Sequence, residues 1–187
     1  ANVECQVIKV PTGFQDYYPA AYGGVACLHF RPDGITREEM AVDASALQDR
    51  VAICYTGEPR NSGINNWEIT KRHIDGDREI FEIFDLIRDT AVSMRSAVLA
   101  HDWDTIGKLL AENHPQRKRL SPNITTPQMD RIIDAALANG AIAPKVCGAG
   151  GGGCIAFFCE AGRKADVEAV IAAMPGAVVL DWRIDHD

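Results

Sequence analysis

Apolar and polar positions change period twice along this chain, and the changes divide it. Residues 2–10 fit either a helix end or a strand, and Pro11-Thr12-Gly13 ends that stretch. Phe14 to Tyr22 suits a short helix closed by Gly23-Gly24. Val25 to Phe30 then reads as a strand, Arg31-Pro32-Asp33-Gly34 as a turn, and Ile35 to Val42 as the returning strand, interrupted by Glu38-Glu39. Val51 to Tyr55 is a buried-strand run, followed by a polar loop from Gly57 to Gly63.

A helical period takes over next. Ile64 to His73 forms one predicted helix. From Arg78 the positions Ile80, Ile83, Phe84, Ile87, Ala91, Met94 and Val98 recur at steps of three and four, predicting a long amphipathic helix. Asp102 can cap another, with Ile106, Leu109 and Leu110 inward. Thr126-Pro127 suits an N-cap and first helical residue ahead of Ile132, Ile133, Ala136 and Leu137, with Gly140 past the end. The chain closes on strand Ala143 to Val146, strand Cys154 to Cys159, helix Arg163 to Ala173 and strand Ala177 to Ile184. The two strands flanking residues 147–153 can only pair antiparallel, so an α+β layer is expected rather than a doubly wound parallel sheet.

Composition narrows the function classes. The 187 residues carry a formal net charge of −7, which argues against nucleic acid or an anionic membrane surface as the main partner. No apolar stretch reaches membrane-span length and no signal peptide is visible, so the cytoplasm is the expected compartment. The cysteines at 5, 27, 54, 147, 154 and 159 lack CxxC spacing and read as reduced, buried thiols. Nothing has metal-ligand spacing.

The chemistry concentrates at Lys145-Val146-Cys147-Gly148-Ala149-Gly150-Gly151-Gly152-Gly153. Glycines so dense imply positive φ or a close approach, and loops of this kind present backbone N–H groups to phosphate. Gly148 to Gly153 matches G-x-G-x-x-G literally, but a strand-like run follows where the dinucleotide fingerprint needs a helix, and no acidic residue stands at the expected later position. No Gly-Lys-Ser/Thr ends the run, which excludes a Walker A loop. A plain hairpin connection is the remaining bland reading.

With Lys145 ahead of it, the loop resembles the third signature motif of the GHMP kinases, named for galactokinase, homoserine kinase, mevalonate kinase and phosphomevalonate kinase. The segment Pro11 to Gly24, containing Gly13, Gln15, Asp16 and Tyr18 and ending in Gly23-Gly24, is similar to the family's Gly-x-x-Asp segment. The segment Asn113-His114 through Leu120-Ser121, Ile124-Thr125 and the Gly140 to Gly153 stretch are most similar to the sugar and heptose-phosphate kinase branch.

The resemblance implies an ATP-dependent transfer to a hydroxyl of a sugar or sugar phosphate, with Mg²⁺ accompanying ATP. Asp16 would orient or deprotonate the acceptor hydroxyl, against the plainer reading that it caps the short helix. Lys145, Gly148, Ala149, Gly150, Gly151, Gly152 and Gly153 would form the phosphate-side loop. Gly13, Gln15, Tyr18, Gly23 and Gly24 would meet the substrate. Apart from the resemblance, Arg60 lies in a polar loop after a strand end that suits sugar or phosphate recognition or, equally, plain solvation, and Lys118 lies in a basic cluster. The basic cluster His114, Arg117, Lys118 and Arg119 would hold a substrate phosphate, or be a solvated helix end.

The family's Pro-x-x-x-Gly-Leu-Gly-Ser-Ser-Ala loop does not occur in this sequence. The expectation is therefore a carboxyl-terminal portion: residues 1–45 a remnant of the first domain, and 46–187 a ferredoxin-like second domain with an antiparallel sheet and a helical layer. Alone it would be inactive or nearly so. A non-catalytic binding or regulatory domain is the alternative, and a nicotinamide oxidoreductase, which needs a helix directly after Gly153, ranks last.

Overall fold

The computed structural model describes residues 6–7, 13–59 and 62–185. Apart from residues 6 and 7, the reading of residues 2–10 lies outside them, as does the candidate Arg60. Two sheets organise the rest. A hairpin of β1 (Ala26–Arg31) and β2 (Gly34–Glu39) follows α1 (Tyr17–Tyr22), and a four-stranded antiparallel sheet runs β4-β5-β3-β6. Its strands are β3 (Val51–Tyr55), β4 (Ala141–Val146), β5 (Cys154–Cys159) and β6 (Val178–Leu180). The helices are α2 (Ala44–Gln48), α3 (Ser62–Ile74), α4 (Arg78–Leu99), α5 (Trp103–Leu120), α6 (Pro127–Leu137) and α7 (Lys164–Ala172). The α+β class and the antiparallel sheet follow the sequence expectation.

Strand alternation explains why the sheet takes helices on both faces. Ile155, Phe157 and Cys159 of β5 point with Ala52 and Cys54 of β3 into one cluster, closed by Met129, Ile132, Ile133 and Ala136 of α6 and Val167 and Ile171 of α7. Phe158 points the other way, against Ala97 of α4 and Ile106 of α5. At Gly107 an added Cβ would stand 3.0 Å from Ile142 and 3.4 Å from Phe158. A glycine in mid-helix costs about 1 kcal/mol against alanine, and here it lets α5 lie close on the sheet.

The caps at Asp102 and Thr126 match their sequence signals, and Asp77 adds one that the sequence reading did not mark. The Asp77, Asp102 and Thr126 side chains accept from Glu79, Thr105 and Met129 N–H at the starts of α4, α5 and α6. Helix α5 continues through Pro115 to Leu120, beyond the inward positions the sequence pattern marked. The last strand is shorter than predicted from 177–184. Past Leu180 the Trp182 indole N–H donates to the Val51 carbonyl at 3.1 Å, and the Ile184 N–H donates to Gln48 Oε1 at 3.0 Å. Side chains thus replace ladder bonds at that edge.

The hairpin is tied to the larger unit by polar contacts. Arg95 of α4 donates to both oxygens of Glu38, at 2.7 and 2.5 Å. Arg37 donates to the Gly23 carbonyl at 3.2 Å, and Gly24 N–H to the Asp185 carbonyl at 2.6 Å. Glu38-Glu39, expected to break the strand, close it in register, because Arg95 compensates the half-buried carboxylate.

Candidate functional site

The glycine loop is a hairpin connection between β4 and β5, closed by the Cys147 N–H on the Cys154 carbonyl at 3.0 Å. A strand begins at Cys154, so the helix that a dinucleotide site requires is absent and the oxidoreductase reading falls. Gly148, Gly150, Gly151, Gly152 and Gly153 all have positive φ, from 65° to 126°. Space explains two of them further. A Cβ at Gly150 would lie 2.4 Å from the Ile124 carbonyl oxygen, and one at Gly152 would lie 2.8 Å from that of Pro59.

The loop is therefore wedged between two neighbouring segments. Gly151 N–H donates to the Ile124 carbonyl at 3.1 Å and Gly153 N–H to the Glu58 carbonyl at 2.9 Å, while Gly153 accepts from Thr56 N–H at 2.9 Å. Glu58 in turn accepts from the Thr126 hydroxyl at the head of α6. The N–H groups of Gly151 and Gly153, expected to face phosphate, are turned to protein carbonyls. The density of glycine is accounted for by close backbone contact.

Helix α5 supplies the charge. Asn113 and Arg117, four residues apart, share one helical face. Arg117 donates to the carbonyls of Val146 at 2.7 Å and Gly148 at 2.6 Å, gripping the loop at its entry. Lys145 Nζ donates to Asn113 Oδ1 at 3.2 Å. The basic cluster read from the sequence does not persist as a unit. Lys118 pairs with Asp130 at 2.9 Å and Arg119 with Glu79 at 3.5 Å, leaving Arg117 as the member that meets the loop. Burial, followed by the Lys118 charge, lowers the His114 pKa.

In the amino-terminal segment, Gly13, Gln15 and Asp16 are exposed, and Tyr18 is half-buried with its ring stacked 6.1 Å from that of Tyr22. Asp16 occupies the N-cap of α1, but its side chain makes no capping hydrogen bond. The plainer reading of Asp16 thereby loses its physical basis. Gly23 and Gly24, at φ 60° and 66°, end the helix as their sequence position suggested. Asn113, Glu58 and the Ile124 carbonyl were not singled out from the sequence as loop partners. The four-residue spacing of Asn113 and Arg117 was a usable signal, whereas Glu58 and Ile124 meet the loop through distant packing.

Residues 94–179 match the family described as GHMP kinases C terminal. Over those residues the chain carries a GHMP kinase C-terminal domain. Similarity to GHMP kinases also extends beyond that segment. D-glycero-alpha-D-manno-heptose 7-phosphate kinase of Campylobacter jejuni is 26% identical over 200 residues, spanning 98% of this chain and 57% of that protein. The crystal structure of a D-glycero-D-manno-heptose 1-phosphate kinase from Bacteroides thetaiotaomicron superposes with a TM-score of 0.70 at 21% identity, covering 99% of this chain and 50% of the other. L. major mevalonate kinase, solved with R-mevalonate, gives a TM-score of 0.74 at 18% identity, over 90% and 50%. These two structures establish a shared fold. The chain spans about half the length of the relatives it matches.

Two expectations follow for this GHMP kinase domain. Arg117→Lys keeps the charge but loses the planar fork, so one of the two loop carbonyls loses its donor. We expect a loss of about 1–3 kcal/mol in urea unfolding, with the loop amides exchanging faster with deuterium. The second concerns pH. Although Lys145 as a residue is exposed, burial around its ammonium and then the Arg117 charge push its pKa down to about 8 from 10.5. Between those values the unfolded chain binds the additional proton, so stability rises with pH across that window and levels off above it. Lys145→Met should flatten the rise of the urea midpoint between pH 8 and 10.5.

Proposed function

We propose that this chain forms the carboxyl-terminal part of the working unit of an ATP-dependent kinase, which phosphorylates a hydroxyl of a sugar or sugar phosphate. The observation that carries the reading is the Lys145–Gly153 hairpin, held by Arg117 within a GHMP kinase C-terminal domain. Alignment to a heptose 7-phosphate kinase along 98% of the chain supports a phosphorylated sugar as acceptor. Residues 1–45 would belong to the first kinase domain and 46–187 to the second.

In this reading Asp16 accepts a hydrogen bond from the acceptor hydroxyl and takes its proton as the new O–P bond forms and the bond from the γ-phosphorus to ADP breaks. Its exposure and missing cap bond leave the carboxylate available to a substrate. Gly13, Gln15, Tyr18, Gly23 and Gly24 would shape the acceptor side, with Arg60 and Lys118 as further contacts. Lys145 and Arg117 set two cations beside residues 148–153, which suits the phosphates of ATP.

GHMP kinases use Mg²⁺ with ATP. Among the described residues, the cluster of three potential metal-binding side chains is Cys27, His29 and Glu38, and a thiol with an imidazole does not suit Mg²⁺. That cluster is therefore not the place for the ion, which would enter with the phosphates of ATP, and no step here runs through it. Among the described residues no helix is long and apolar enough to cross a membrane. Cys27, Cys54, Cys147, Cys154 and Cys159 are free thiols, which supports a reducing cytoplasm.

The deciding experiment measures ADP release with heptose phosphates, hexoses and mevalonate as acceptors, using the 187-residue chain and any longer form its gene specifies. Turnover with a sugar phosphate supports the proposal. Binding of ATP or sugar phosphate without ADP release in every form would favour a non-catalytic binding or regulatory domain. That alternative draws on the inward use of the Gly151 and Gly153 N–H groups.

A further inference from the structure

The β1–β2 hairpin brings together three side chains that the kinase reading does not use. Its register sets Cys27 directly opposite Glu38, and His29, two residues along β1, projects from the same face. Ligand atoms of the three residues all lie within 4.8 Å of one another, and each residue is half-buried. His29 Nε2 and Glu38 Oε2 stand 2.8 Å apart.

These separations bracket what a tetrahedral ion demands. With metal–ligand bonds of about 2.0–2.3 Å, neighbouring ligand atoms stand about 3.3–3.7 Å apart. The imidazole and carboxylate need to open slightly, and the thiol already lies within 4.8 Å of both, adjustments that side-chain rotation can supply without moving the ladder. Arg95 is already placed behind the carboxylate, donating through Nε and Nη2 at 2.7 and 2.5 Å. A carboxylate offers about four lone-pair positions, so the guanidinium fork leaves room for a cation on the other side. Outer hydrogen bonds of this sort commonly orient metal-binding carboxylates.

We propose that Cys27, His29 and Glu38 form a three-residue binding site for a borderline-soft divalent cation, Zn²⁺ foremost, with Arg95 positioning Glu38. The donor set selects the ion: thiolate and imidazole favour Zn²⁺ over Mg²⁺ or Ca²⁺, which take oxygen. On binding, the Cys27 S–H bond breaks, its proton passes to solvent, and the thiolate and the neutral imidazole donate electron pairs to the ion. Thiolate and carboxylate together balance the charge of the cation, and water completes the fourth position. No oxidation or reduction is involved. Because the hairpin hangs on α4 through Arg95–Glu38, an ion here would brace the hairpin against the larger unit.

The test titrates the intact protein with Zn²⁺ against a chromophoric chelator, and with Co²⁺ followed by absorption. One equivalent should bind, with the Co²⁺ form showing thiolate charge-transfer and tetrahedral bands. Cys27→Ser and His29→Ala should each weaken Zn²⁺ affinity by at least about 10-fold, since even outer-shell losses cost about 10–100-fold. Cys147→Ser should leave it unchanged. Saturating Zn²⁺ should also raise the Tm of the parent protein and not that of Cys27→Ser. A Co²⁺ spectrum without thiolate bands in the parent overturns the proposal whether or not the variants fold. So does Zn²⁺ binding that Cys147→Ser abolishes and Cys27→Ser does not.

Discussion

Gly150→Ala is expected to cost on the order of 3–5 kcal/mol, lowering Tm by roughly 10 °C, whereas Gly76→Ala should cost only about 1–2 kcal/mol. The two glycines form a matched pair. Their φ values are 81° and 80°, so the strain of placing an L-residue in the left-handed region is nearly the same. What differs is space. Around Gly76 nothing lies within 4 Å of an added Cβ, but at Gly150 it would meet the Ile124 carbonyl oxygen at 2.4 Å and Ile124 Cα at 2.9 Å. Backbone atoms cannot swing aside as a side-chain tip can. Relief requires moving Ile124, itself buried, and with it the Gly151 N–H bond to its carbonyl. Thermal unfolding of both variants decides the point. Equal Tm shifts would mean that the loop slides freely and is not wedged.

Asp16→Asn is expected to cut kcat by at least about 10²-fold in the catalytically competent protein, with the acceptor KM changed far less. Asparagine keeps the size and still accepts a hydrogen bond, but it cannot take the hydroxyl proton at neutral pH. The usual confounding effect, loss of a helix cap, is absent because the Asp16 side chain makes no such bond at α1. Tm should therefore stay within about 0.5 kcal/mol equivalent of the parent, as for surface substitutions away from special contacts. Steady-state kinetics with ATP and a sugar phosphate, beside a melting curve, separates the outcomes. An unchanged kcat would remove Asp16 from the chemistry and leave the carboxylate unexplained.

Much of the fold was legible because its signals are local. The three-four spacing in α4, the Thr126-Pro127 start of α6 and the Arg31 to Gly34 turn each depend on neighbours in the chain, and each appears where expected. The glycine loop was legible as a hairpin for the same reason, since the apolar run behind it could only be a strand. Other readings failed where a distant residue decided. The 177–184 strand stops at Leu180 as Trp182 and Ile184 bond to Val51 and Gln48, more than a hundred residues away. Likewise, the Asp130 partner of Lys118 comes from α6, where the sequence marked no such pairing.

Thus the sequence by itself determined the α+β architecture, the family resemblance and the place of the loop between two strands. These rest on period, turn chemistry and motif spacing, which operate within a few residues. Only the tertiary structure decided what the loop's groups face: Ile124 and Glu58 for two N–H groups, Arg117 for two carbonyls, and neighbouring backbone where Gly150 and Gly152 have no side chain. It also decided that Cys27 and His29 meet Glu38. Nothing in one-dimensional spacing encodes those encounters, because strand register and helix docking are set by burial across the whole chain.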